Sequence, residues 1–178
     1  GAISLIANGN LVTSAAINST GGGVTVNATG EITVGGALGA AGGGVNLTAT
    51  SAINVNQSVT ATGVGAAVLI AATDAVGPGQ DIAMLAGVTI SSAAASVTLN
   101  AGDNLSLPAG TTIAAATGIV VNVDWGNADS GQGGTFSFAG DFDDLAGPVN
   151  AVIVSGAADT MGDTFNIRPD QDAANLVP

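Results

Sequence analysis

Two short acidic stretches group side chains that could take part in chemistry together. Asp124, Asn127 and Asp129, followed by Gly131, offer oxygen ligands on a Gly-rich loop, and Asp141, Asp143 and Asp144 form a second group. Calcium takes six to eight such oxygens, so it is the metal these residues would hold. Neither spacing matches the EF-hand loop or the GGxGxDxUx nonapeptide. A close pair, Asp141 with Asp143 or Asp143 with Asp144, would also supply the two carboxylates of a glycosidase. The supporting groups for such a site are missing, since the chain has no His and a single basic residue, Arg168. Acids on loops are ordinarily just solvated, and the sequence reads as a non-enzyme. Trp125 is the only Trp. It would either stack on a sugar ring or pack over a corner as a lid on the core. A carbohydrate-active enzyme or carbohydrate-binding module, using Trp125 and the acidic loops, is the alternative to a structural role.

What must position these residues is a repeat. Gly21–Ala41 (GGGVTVNATGEITVGGALGAA) and the following stretch from Gly42 to Thr62 (GGGVNLTATSAINVNQSVTAT) align with matching apolar positions, Val24 over Val45 and Ile32 over Ile53, at an offset of 21 residues. The frame extends both ways. Ile3, Val24, Val45, Val68, Val97 and Ile119 begin one row of short strands; Leu11, Ile32, Ile53, Ile82 and Leu105 mark a second. A third row runs through Ile17, Leu38, Val59, either Val88 or Ile90, and Ile113. Apolar residues alternate with Ser, Thr and Asn inside each strand, the period-2 pattern of a half-buried strand. No helix-length segment intervenes.

Three short strands per repeat predict an all-β parallel β-helix in which each strand pairs with its equivalent one coil later, at ~4.8 Å. Inward Val, Leu and Ile would form aliphatic ladders; Gly and Asn clusters would turn the corners. The bias of parallel crossovers favours a right-handed coil, and a period of about 18 would be wanted for the left-handed hexapeptide type. About seven coils, ~35 Å in all, are expected. Residues 1–123 form the regular repeats, with a loop insertion over 71–80 (AATDAVGPGQ) around Pro78. Residues 124–168 read as longer-loop coils of the same solenoid with a bulkier core, since all four Phe lie there, and 169–178 as an extended tail or cap.

Charge bounds the partners. With 13 acids against one base the net charge is −12, which excludes a phosphate-binding surface for nucleic acid and attraction to an anionic membrane. The longest apolar run, near Ala66–Ala72, is far below the ~18–20 residues of a membrane-spanning helix. A membrane barrel would need aromatic girdles and strands of about 9–11 residues, and neither pattern occurs. Cys is absent, which fits any compartment. The chain opens on Gly rather than Met, as a segment of a longer protein or a processed product would. Five Asn-x-Ser/Thr sequons, at Asn18, Asn27, Asn46, Asn56 and Asn104, are what a chain so rich in these residues produces by composition. The outward first-strand row Ser4, Thr25, Asn46, Leu69, Thr98, Val120 is too irregular for an ice-ordering face.

The segments GAISLIANGNLVTSAAI, GGGVTVNATGEITV, GGGVNLTATSAINV and SVTLNAGDNLSL resemble the repeats of filamentous haemagglutinin-type bacterial exoproteins over roughly residues 1–123. The resemblance implies a right-handed parallel β-helix serving as the shaft of a secreted adhesin or extracellular fibre. It places the protein outside the cell or on the bacterial surface. Its partners would be other copies of itself, adjacent repeats of a longer chain, and host or surface glycans. The Asn-Pro-Asn-Gly element of the family's secretion domain is not present, so the resemblance implies a distal repeat segment. Beyond structural calcium, no cofactor is expected.

Overall fold

Alternating aliphatic and small polar residues, interrupted every few positions by Gly or Asn, leave short strands no partner except their own repeats. The computed structural model describes residues 1–126, 128, 133–144, 152–156, 163–167 and 176–177. Its strands, numbered β1 to β21 along the chain, fall into three parallel sheets, and the chain is a parallel β-helix with three strands to a coil. The first sheet stacks β1 (Ile3–Ala7), β4 (Val24–Ala28), β7 (Val45–Ala49), β10 (Val68–Ala72), β13 (Val97–Ala101), β16 (Ile119–Asn122), β19 (Val152–Ser155) and β21 (Leu176–Val177). The second stacks β2 (Leu11–Thr13), β5 (Ile32–Val34), β8 (Ile53–Val55), β11 (Ile82–Met84), β14 (Leu105–Leu107), β17 (Thr135–Phe138) and β20 (Thr164–Ile167). The third holds β3 (Ile17–Ser19), β6 (Leu38–Ala40), β9 (Val59–Ala61), β12 (Thr89–Ser92), β15 (Thr112–Ala115) and β18 (Asp141–Asp144).

Register puts like over like. Ile3, Val24, Val45, Val68, Val97 and Ile119 follow one another up the first sheet. Leu11, Ile32, Ile53, Ile82 and Leu105 do the same in the second, and Phe136 continues the row. From the second coil onward these side chains are buried in one continuous core. Each contributes about 1.5–3 kcal/mol of apolar transfer. In the first coil Ile3, Leu5, Ala7, Leu11 and Ile17 pack against that core but stay partly open. The corners need small residues for a steric reason. At Gly36 a Cβ would stand 2.2 Å from the backbone carbon and oxygen of Ala15 on the coil beside it, so even Ala would force two coils apart.

Three points differ in detail from the sequence reading. The insertion begins after Ala72, because Ala71 and Ala72 continue the ladder opposite Thr48 and Ala49 on one side and Asn100 and Ala101 on the other. In the third sheet it is Ile90 that sits in register with Val59 and Ile113, while Val88 is buried just ahead of the strand. And within the stretch read as a tail or cap, Leu176 and Val177 pair with Val152 and Ile153. Arg168 lies outside the described residues.

Candidate functional site

The corner between the first and second sheets gathers most of the polar chemistry. It is short in the first three coils. It then widens to the excursion between β10 and β11, and widens again between β16 and β17. The acids here are turned onto the backbone of neighbouring coils. Asp103 Oδ2 accepts the backbone N–H groups of Gly79 and Gln80, the latter at 2.9 Å. Asp81 Oδ1 accepts both the backbone N–H and the side-chain amide of Asn104, at 3.0 and 2.8 Å. Asn104 Oδ1 in turn accepts the N–H of Thr135 at 2.9 Å, so the amide of that sequon is engaged within the corner. Asp74 accepts the N–H of Ala128. Asp163 accepts that of Gly134 at 2.8 Å. Where widened corners interrupt the ladder, carboxylates take over the N–H groups that need acceptors.

This arrangement yields a direct expectation. Asp103→Ala removes the acceptor of two N–H groups and should cost about 1.5–3 kcal/mol. The loss should be concentrated in the excursion, so amide hydrogen exchange over residues 77–81 should accelerate by tenfold or more. Asp103→Asn keeps an acceptor oxygen and should retain most of the protection. Unchanged exchange in the Ala variant would show that the carboxylate does not hold the loop.

Of the proposed calcium ligands, the structure describes the side chains of Asp124, Asp141 and Asp143. Asp124 is buried at the end of β16, with a left-handed φ of 51°. Asp141 and Asp143 are exposed on β18, opposite Thr112 and Ala114. Asn127 and Asp129 lie outside the described residues, as does the side chain of Asp144. Among the described residues no three of His, Cys, Asp and Glu are grouped to hold a metal. Asp141 and Asp143 have a simpler structural use. Among the described residues β18 is the last strand of the third sheet, and outward charges on an edge strand discourage pairing with another chain.

Trp125 follows β16 at the widened corner. It is 40% exposed and is not one of the buried core residues. It stands on the rim of a cavity of about 220 Å³ lined also by Asn122, Val123, Asp124, Gly126, Ser155 and Gly156. Nothing in the chain's sequence marks this cavity, because Asn122 and Ser155 meet only through the stacking of β16 on β19. Asp141 and Asp143 do not line it. No family model, curated protein or solved structure matches this chain. No described helix is long and apolar enough to cross a membrane.

Proposed function

We propose that the chain is a structural shaft segment of a secreted cell-surface adhesin or extracellular fibre, and that its coils stack end to end with further coils. The observation that carries this reading is the asymmetry of the solenoid's exposed edges. The first coil presents Ile3, Leu5, Ala7, Leu11 and Ile17 only partly covered, with Ile6 and Val12 on its outer faces 75% and 67% exposed. No charged side chain occurs before Glu31. Among the described residues, the last strand of the third sheet carries Asp141 and Asp143. An uncharged edge with an open aliphatic stripe is a template for another coil. The repeat pattern's resemblance to filamentous haemagglutinin-type exoproteins supports the extracellular placement, and the near absence of basic residues supports a scaffold over a nucleic-acid or membrane binder.

Sedimentation velocity and negative-stain microscopy across a concentration series test the stacking. The wild-type chain should give rods lengthening in whole multiples of a ~35 Å body. Leu5→Lys combined with Leu11→Lys should hold the chain as single bodies, because two charges on the stripe cannot be buried unpaired. Single bodies at every concentration in the wild-type protein would overturn self-stacking.

A further inference from the structure

The flank at Trp125 has no part in a shaft, and its construction fits a ligand. We propose that Asn122, Trp125 and Ser155 form a binding site for one neutral glycosyl residue of a glycan. This goes beyond the shaft reading and does not depend on it. The first argument is size. A cavity of about 220 Å³ falls below the ~300 Å³ at which sites for drug-sized molecules begin, so it admits a single ring. The second is the mixture of surfaces. A half-exposed indole offers a flat apolar face, while a carboxamide and a hydroxyl stand beside it. A pyranose has the matching anatomy, with C–H groups on its faces and hydroxyls around its rim.

The third argument is that the site is held before anything binds. Just past β16 the chain turns at Asp124 with a left-handed φ of 51°. The next two backbone N–H groups are fixed to the coil beneath, Asp124 to the carbonyl of Asp103 at 3.1 Å and Trp125 to that of Ala101 at 2.9 Å. Asn122 donates its amide to Asn100 Oδ1 at 2.7 Å and accepts the Ser155 hydroxyl. A carboxamide has two N–H donors and two lone pairs. One of each remains for a ligand, on a side chain whose rotamer is already set. Ordering costs on binding are correspondingly small. Asn100, Asn122 and Ser155 lie in one register row, and Asn100, itself buried, anchors the row from the coil beneath.

Charge decides between sugars. A Cβ at Gly126 would touch Asp74, and Asp103 and Asp124 lie at the same corner of a chain with net charge −12. Uronates, sulfated sugars and other anionic glycans are repelled there. A single ring at ordinary ligand efficiency gives a Kd on the order of 1 mM.

Because Trp125 is the only Trp, its fluorescence reports on this site alone. The chain should be titrated with cello-, malto- and chito-oligosaccharides, with oligogalacturonate, and with choline as an organic cation. At least one neutral series should give a saturable change in emission, and oligogalacturonate none. Asn122→Ala and, separately, Ser155→Ala should each weaken binding about tenfold or more. Trp125→Ala should abolish binding by calorimetry while leaving the melting temperature nearly unchanged, since the ring is outside the core. The proposal is overturned by no saturable response to any neutral series at tens of millimolar. It is equally overturned by a response that folded Asn122→Ala and Ser155→Ala both retain in full, or by a response to choline alone.

Discussion

Ile53→Asp should destroy the first half of the solenoid. Ile53 is fully buried in a row with Ile32 on one side and Ile82 on the other, and none of the positions adjoining it in that row offers a hydrogen-bonding side chain. An ionised carboxylate in such surroundings is so costly that it would take up a proton. Even then the neutral acid leaves polar groups without partners, at several kcal/mol. The total stability of a chain this size is of the order of 10–25 kcal/mol, spread along a stack in which each coil touches only its neighbours. Damage in the third coil therefore separates the first two from the rest. Hydrogen exchange should reach near-unprotected rates in β1 to β9 while β13 to β16 keep substantial protection. Ile53→Val, which removes one methylene, should cost only about 0.5–1.5 kcal/mol. A melting curve unmoved by the Asp variant would mean that the residue is not inside a ladder at all.

The ladders were readable from sequence because two independent periods coincide in them. Alternation within a strand says which side chains point inward, and the 21-residue offset between Val24 and Val45 says what each one stacks upon. Where either period weakened, so did the reading. Val88 and Ile90 have the same parity and are both buried, so alternation could not choose between them; only the backbone register does. The fate of the corner acids depends on a different kind of information. Asp74 meets Ala128 across 54 residues, and Asp103 meets Gln80 across 23, contacts set by how unequal loops lie over one another. Nothing in the local pattern around an Asp distinguishes a staple from a solvated turn. Trp125 illustrates the same point from the apolar side. A lone Trp after a strand is expected to cover the core, yet the ring is 40% exposed and lines a cavity with Asn122 and Ser155, a neighbourhood set by the stacking of β16 on β19.

Phe136→Ala should lower the melting temperature by roughly 6–20 °C, the equivalent of about 3–5 kcal/mol for a chain of this length. Phe136 is completely buried. It occupies the row that Leu105 fills one coil earlier, with Phe165 on its other side. Its ring stacks on Phe138 at 5.6 Å between centroids, and Phe138 stacks on Phe142 at 4.2 Å. The stack ties the second sheet to the third within one coil, across the corner where β18 begins. Truncation to Ala empties that junction, and rings held from two sheets cannot collapse into the space as a single aliphatic side chain would. Phe136→Leu separates volume from aromaticity. It reproduces the side chain at position 105 and should cost about 1.5 kcal/mol or less if filling the row is what counts. A Leu variant as damaged as the Ala variant would assign the stability to ring stacking, which adds about 0.5–1.5 kcal/mol per pair beyond area. A shift below about 2 °C in the Ala variant would contradict the cooperative joining of this coil to the body, because a void in a shared core must be felt by every coil that melts with it.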